Sequence, residues 1–138
     1  MKFKTLLGAS ALAVTLVACV TNPITGRKSI QLSNDAELQQ MALQEYKATL
    51  SKSKVVSNTV DAKNIKTVGM NIKNAAERYY KSIGREADLQ NYNWEFNLLE
   101  DKQLNAWCMP GGKVAFYTGI MPVCKDENGV AVVMGHEV

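Results

Sequence analysis

The hydrophobic period changes partway along this 138-residue chain, and the change limits what it can fold into. Up to about residue 83 apolar residues recur every three to four positions, as on one face of a helix. Leu38, Met41, Ala42, Tyr46 and Thr49-Leu50 keep that spacing, and Asn34 with Glu37 makes a capping-box-like start. Ile65, Val68, Ile72, Ala75-Ala76, Tyr79 and Ile83 form the stripe of a second helix over about 61–82, with Gly84 as its stop. The period then becomes two. Tyr92, Trp94, Phe96 and Leu98 alternate with Asn93, Glu95 and Asn97, the pattern of a half-buried strand.

Two short extended runs follow, 105–109 and 113–118, around Pro110-Gly111-Gly112, which reads as a hairpin. Asp126 is placed to cap a third helix from Glu127. Val130 to Met134 is apolar all round, so that helix is expected to be buried. Gly129 and Gly135 weaken it by up to ~1 kcal/mol each, and suit close packing instead. The expected fold is α+β: amphipathic helices on a small antiparallel sheet or hairpin, leading into a buried helix.

Residues 1–18 read as a targeting segment and are set apart from the fold. Lys2 and Lys4 precede an apolar run, Leu6 to Val17, too short to span a bilayer comfortably. Leu16-Val17-Ala18-Cys19 resembles a bacterial lipobox, which implies an acylated Cys19 and a membrane anchor. Val20 in place of aspartate favours the outer membrane over the inner. The expected organisation is a signal peptide (1–18), a lipidated extended tether (19–33) and one domain (34–138), in the bacterial cell envelope facing the periplasm. Of 16 basic residues, Lys2 and Lys4 fall in the leader, leaving 14 against 13 acidic. With no basic run interleaved with aromatics, nothing suggests nucleic acid. Cys108 and Cys124 would enclose a loop of about 15 residues in an oxidising compartment, where a disulfide contributes on the order of 3 kcal/mol; two buried free thiols are the alternative.

The chemistry lies in Gly135-His136-Glu137-Val138, which contains the only histidine. His-Glu on a helix opens the H-E-x-x-H motif of zinc proteases. There the two histidines, one turn apart, share the ion, and the glutamate is turned about 100° round the helix toward the metal's water. It takes that water's proton during attack on a peptide carbonyl. His136 is thus the candidate zinc ligand and Glu137 the candidate general base. A bare His-Glu pair has little specificity, and a buried helix suits neither residue unless each has a partner.

The surroundings add the specificity. Residues 105–138 (NAWCMPGGKVAFYTGIMPVCKDENGVAVVMGHEV) resemble the segment leading into the zinc helix of HtpX-like and CAAX-prenyl-protease-like metallopeptidases. Asn22-Pro23-Ile24-Thr25-Gly26-Arg27-Lys28 resembles the opening of that family's periplasmic lipoprotein branch. The resemblance implies a zinc-dependent metalloendopeptidase acting on envelope proteins, with one Zn2+ and protein or peptide substrates. It also implies an edge strand before the zinc helix that binds substrate in extended form. The nearest counterpart is Lys113, Val114, Ala115, Phe116, Tyr117 and Thr118. Family members continue with a second histidine and a later glutamate ligand. These 138 residues carry one of three expected ligands, so the expectation is an incomplete domain, inactive by itself. Two other readings remain. One is a non-catalytic lipid-anchored lipoprotein acting as a protein-binding module. The other is a structural zinc site of Cys108, Cys124 and His136, whose spacings match no common zinc-finger pattern.

Overall fold

A long helix, α1 (Asp35–Lys52), is followed by a two-residue strand, β3 (Val55–Val56), and a second long helix, α2 (Val60–Ser82). The computed structural model describes residues 19–21, 26–30 and 35–138. The leader at 1–18 and the expected cap at Asn34 lie outside the described residues. Two units are distinguished, Met1–Asn34 and Asp35–Val138. In the first, β1 (Cys19–Thr21) pairs antiparallel with β2 (Lys28–Ile30), Cys19 opposite Ile30. Part of the expected tether is therefore a two-stranded ribbon.

In the second unit Thr59 caps α2, its side chain accepting a hydrogen bond from the Ala62 amide at 3.2 Å. After α2, a 3-10 turn (Glu86–Leu89) leads to β4 (Glu95–Leu99). The chain then forms the hairpin β5 (Ala106–Met109) and β6 (Lys113–Tyr117). The Pro-Gly-Gly turn fits because Gly111 and Gly112 adopt φ of 86° and 78°, which a side chain rarely tolerates. A Cβ at Gly112 would also stand 2.7 Å from the Trp94 ring.

The sheet order is β3-β4-β6-β5. β6 lies between its hairpin partner and β4, parallel to β4 with Phe96 opposite Val114 and Leu98 opposite Phe116. The expected antiparallel sheet is thus mixed. Only the hairpin pairing is local; the β4–β6 pairing is reached by a loop that passes the end of β6. Thr118 holds that loop: its Oγ1 donates to the Asp101 carbonyl at 2.8 Å and accepts from the Asp101 amide at 3.1 Å.

Helices cover both sheet faces. On one, Phe96, Leu98, Ala106, Val114 and Phe116 meet Ala62, Ile65 and Val68 of α2, and Val130 and Met134 of α4 (Glu127–Glu137). On the other, α1 inserts Tyr46, which is 1% exposed, against Trp107 of β5, with ring centroids 6.0 Å apart. The apolar stripe expected on α1 is only partly inward. Ala42 and Tyr46 are buried, while Leu38 and Met41 are 42% and 62% exposed.

A short turn of helix, α3 (Met121–Cys124), precedes α4. Asp126 caps α4, accepting from the amides of Asn128 and Gly129 at 2.9 and 3.0 Å. A Cβ at Gly129 would fall 1.8 Å from the Cys124 carbonyl oxygen, so the α3–α4 corner requires glycine there. The expectation that α4 is buried all round is corrected. Val130 and Met134 face the core, but Val132 is 75% exposed.

Candidate functional site

His136 and Glu137 occupy the last turn of α4. His136 is exposed and Glu137 half-buried, so the two polar residues sit at the solvent end of a one-sided helix. The inner side of α4 packs on α2 and on β5. Cys108 of β5 faces this side. Burial pushes the Cys108 thiol up to about 11, and the carboxylate of Glu137 adds to the rise. The helix that ends in the His-Glu turn thus packs on β5.

β5 is an end strand of the sheet among the described residues, the two-residue β3 being the other. The amide of Tyr117 donates to the Asn105 carbonyl at 3.0 Å. That fixes the phase of the hairpin: Trp107 and Met109 turn their backbone groups to β6, and Ala106 and Cys108 turn theirs outward. The strand on which α4 packs thus offers, among the described residues, a row of donors and acceptors that pairs with no other strand.

This corrects the expected substrate strand. Lys113, Val114, Ala115, Phe116 and Tyr117 form β6, hydrogen-bonded to β4 on one side and β5 on the other, so no further strand can join them. Thr118 begins a 3-10 turn and is engaged with Asp101. Val114, Ala115 and Phe116 are fully buried. Lys113, 3% exposed, pairs with Glu95 Oε1 at 2.6 Å and donates to the Asn93 carbonyl. Its ammonium also lies 5.8 Å from the centre of the Tyr46 ring. The edge is β5; its run in the sequence is as short and apolar as that of β6, and only the sheet order separates them.

Cys108 and Cys124 are free thiols, not a disulfide. Each packs as a small hydrophobe, and their surroundings differ: after burial, Glu137 acts on Cys108 and Asp61 on Cys124, raising both thiols. Nor do they join His136 in a metal site. Among the described residues no three His, Cys, Asp or Glu side chains lie together in a way that could hold an ion. A catalytic zinc takes three protein ligands. His136 fits one corner of such a site, and the described residues do not complete it.

A helix ending in His-Glu, packed beside the open edge of a small sheet, has the layout of a metallopeptidase. The chain belongs to peptidase family M48, which residues 70–138 match; the family implies a metal cofactor. It is similar to the mitochondrial metalloendopeptidase OMA1 of Schizosaccharomyces pombe, 40% identical over 60 residues, covering 44% of this chain and 18% of that protein. The Arabidopsis thaliana protein of the same name is 31% identical over 67 residues, 49% of this chain and 14% of that protein. The OMA1 of Bos taurus is 21% identical over 142 residues, 99% of this chain and 26% of that protein. The chain thus spans at most about a quarter of the length of these relatives. No solved structure matches it. The relatives correct the expected address: they are mitochondrial proteins by name, and the reading as a periplasm-facing, lipid-anchored protein of the bacterial outer membrane is withdrawn. Among the described residues no helix is long and apolar enough to cross a membrane.

Proposed function

We propose that this chain supplies a metal-binding helix and a substrate edge to a zinc-dependent metalloendopeptidase acting on protein or peptide substrates. The observation that carries the reading is the packing of α4, whose last turn holds His136 and Glu137, against the end strand β5. A peptide added to β5 pairs with the outward backbone groups of Ala106 and Cys108, which hold its main chain whatever its side chains. Its carbonyls then run past the last turn of α4. His136 is the metal ligand. Glu137, one residue on and about 100° round the helix, is free to accept the proton of the attacking water. When bound, zinc supplies acidity to that water and polarises the carbonyl. The remaining ligands come from groups other than the described residues.

The test compares two substitutions in the protein expressed from its own locus, with metal content and peptide hydrolysis measured on the same preparations. Glu137→Gln is expected to keep the metal and lose about 10²–10⁴-fold in turnover, the worth of a general base. His136→Ala is expected to lose metal and activity together. Near-wild-type turnover in Glu137→Gln would remove the base assignment. Loss of zinc in that variant, with none in His136→Ala, would overturn the site. The 138-residue chain by itself is expected to bind zinc weakly and cleave nothing; stoichiometric sub-micromolar binding would contradict the ligand count.

A further inference from the structure

One face of α1, apolar apart from Gln44 and Glu45, is open to solvent where it passes β5. Leu38, Met41, Ala42 and Ala48 lie on this side of the helix with those two polar residues, and with Met109 of β5 they line a groove of roughly 620 Å³. Leu38, Met41 and Met109 make this apolar surface contiguous, and contiguous apolar surface marks binding sites where single exposed side chains do not. Methionine suits such a surface because its flexible thioether adapts to varied shapes.

The adjoining backbone says what fits the groove. β5 has an unpaired outer edge among the described residues, and a polar main-chain edge bordered by an apolar groove matches one kind of occupant, an extended strand. Side chains of such a strand alternate between the two sheet faces. Those level with Ala106 and Cys108 lie on the α4 side, toward His136 and Glu137. Those level with Trp107 and Met109 lie on the α1 side, over the groove. Successive residues on one face of a strand stand about 7 Å apart. Met41 and Ala48, seven residues apart on a helix, span about 10 Å. The groove thus has the length for two alternate side chains.

We propose that the groove between α1 and Met109 is a specificity surface for the peptide that pairs with β5, and that it selects extended segments with large apolar side chains two residues apart. This rests on the reading of β5 as the substrate edge and adds side-chain selection, on the face away from His136, to a main chain held without regard to sequence.

The test uses the 138-residue chain with labelled methionine methyls and backbone amides, followed by NMR. The probes are two blocked five-residue peptides, one alternating threonine with leucine and one alternating threonine with serine. The leucine peptide is expected to protect the Ala106 and Cys108 amides, to shift the Met41 and Met109 methyls, and to bind more tightly than the serine peptide. Met41→Glu is expected to weaken the leucine peptide about tenfold or more, as loss of a buried apolar side chain would, with the serine peptide little changed. Met41 is 62% exposed, so the fold should tolerate the change, and an unchanged Tm verifies it. Val132→Glu, on the exposed side of α4, serves as the control and should leave both affinities alone. Unchanged leucine-peptide affinity in Met41→Glu, with the two amides still protected, would overturn the groove and leave the edge reading standing. Absence of protection at both amides would overturn the edge reading and the groove with it. A concentration-dependent dimer of the chain, lost in Met41→Glu while peptide binding persists, would show that the groove serves a second copy and overturn the proposal.

Discussion

On the α2–α4 face of the sheet, Phe96, Leu98, Val114 and Phe116 meet an apolar cluster. On the α1 face, Glu95, Asn97 and Lys113 alternate with them and meet Tyr46. The first face is held by burial, which is non-directional and proportional to area. The second is held by partners. Asn97 Nδ2 donates to the Tyr46 hydroxyl at 2.6 Å, Lys113 pairs with Glu95, and Glu95 in turn helps raise the Tyr46 phenol. Buried polar groups cost free energy unless each is satisfied, so this face tolerates one placement of α1 and penalises the others. The dry face supplies stability. The polar face sets where α1, and with it the open groove, lies against β5.

The largest effect is expected on the dry face. Phe116→Ala, at a fully buried position, is expected to cost about 3–5 kcal/mol, read as a lower urea midpoint with little change in slope. A loss below about 1 kcal/mol would mean that the apolar cluster is not the main source of stability. On the polar face, Glu95→Gln leaves Lys113 buried without its anion. Glu95 is 39% exposed on its side chain, so water screens part of the effect and about 1–2 kcal/mol is expected. Adding Lys113→Met should recover much of it; additive losses would show that the pair is not coupled.

Tyr46→Phe sharpens the contrast through pH. Burial pushes the phenol from 10.0 up to about 12; the Asn97 hydrogen bond opposes it, and Glu95 adds lesser rises. In the unfolded chain the phenol ionises near 10.0, so between there and about 12 the folded state holds the extra proton. Stability from this group is therefore fully present below pH 10 and lost as pH rises through 12. Tyr46→Phe should cost about 1 kcal/mol at neutral pH, the worth of a hydrogen bond, and flatten the alkaline part of the profile. An identical alkaline slope in the variant would remove Tyr46 as its source. The smallest effect is expected at Val132→Lys, within about 0.5 kcal/mol, because that side of α4 meets solvent.

Much of the dry face is legible in the sequence, and little of the polar one. The second helix was expected over 61–82 and runs Val60–Ser82; the hairpin follows from Pro110-Gly111-Gly112, and α4 from Asp126. These signals are local: a cap, a stripe, a turn. Asn93, Glu95 and Asn97 read as the wet side of a strand, yet α1 and Lys113 cover that side, because a helix approaching from some fifty residues upstream leaves no mark in the alternation. A lone lysine in a strand likewise reads as exposed, and its burial depends on Glu95 standing level with it across the β4–β6 pairing. The same pairing decides which hairpin strand is the edge. His136-Glu137 announces itself as a dipeptide, but its position beside β5 depends on the packing of α4 against the sheet. β3, two residues long, is too short for any period to register.

Because β6 is inserted between β5 and β4, the sheet cannot be assembled in the order in which its strands leave the ribosome. β4 is made before both strands of the hairpin, and its partner is the later of the two. Pairs within the hairpin are at most ten residues apart, whereas each β4–β6 pair is eighteen apart, so loop closure favours the hairpin as the earlier event. β4 would then wait, its apolar face provisionally covered by α2, until a preformed β5–β6 unit arrives and offers β6 as a template. Pulsed hydrogen exchange during refolding should find the hairpin amides protected before those of β4, and simultaneous or reversed protection would exclude this order. On this route the outer edge of β5 exists, as an unpaired strand, before the sheet that carries it.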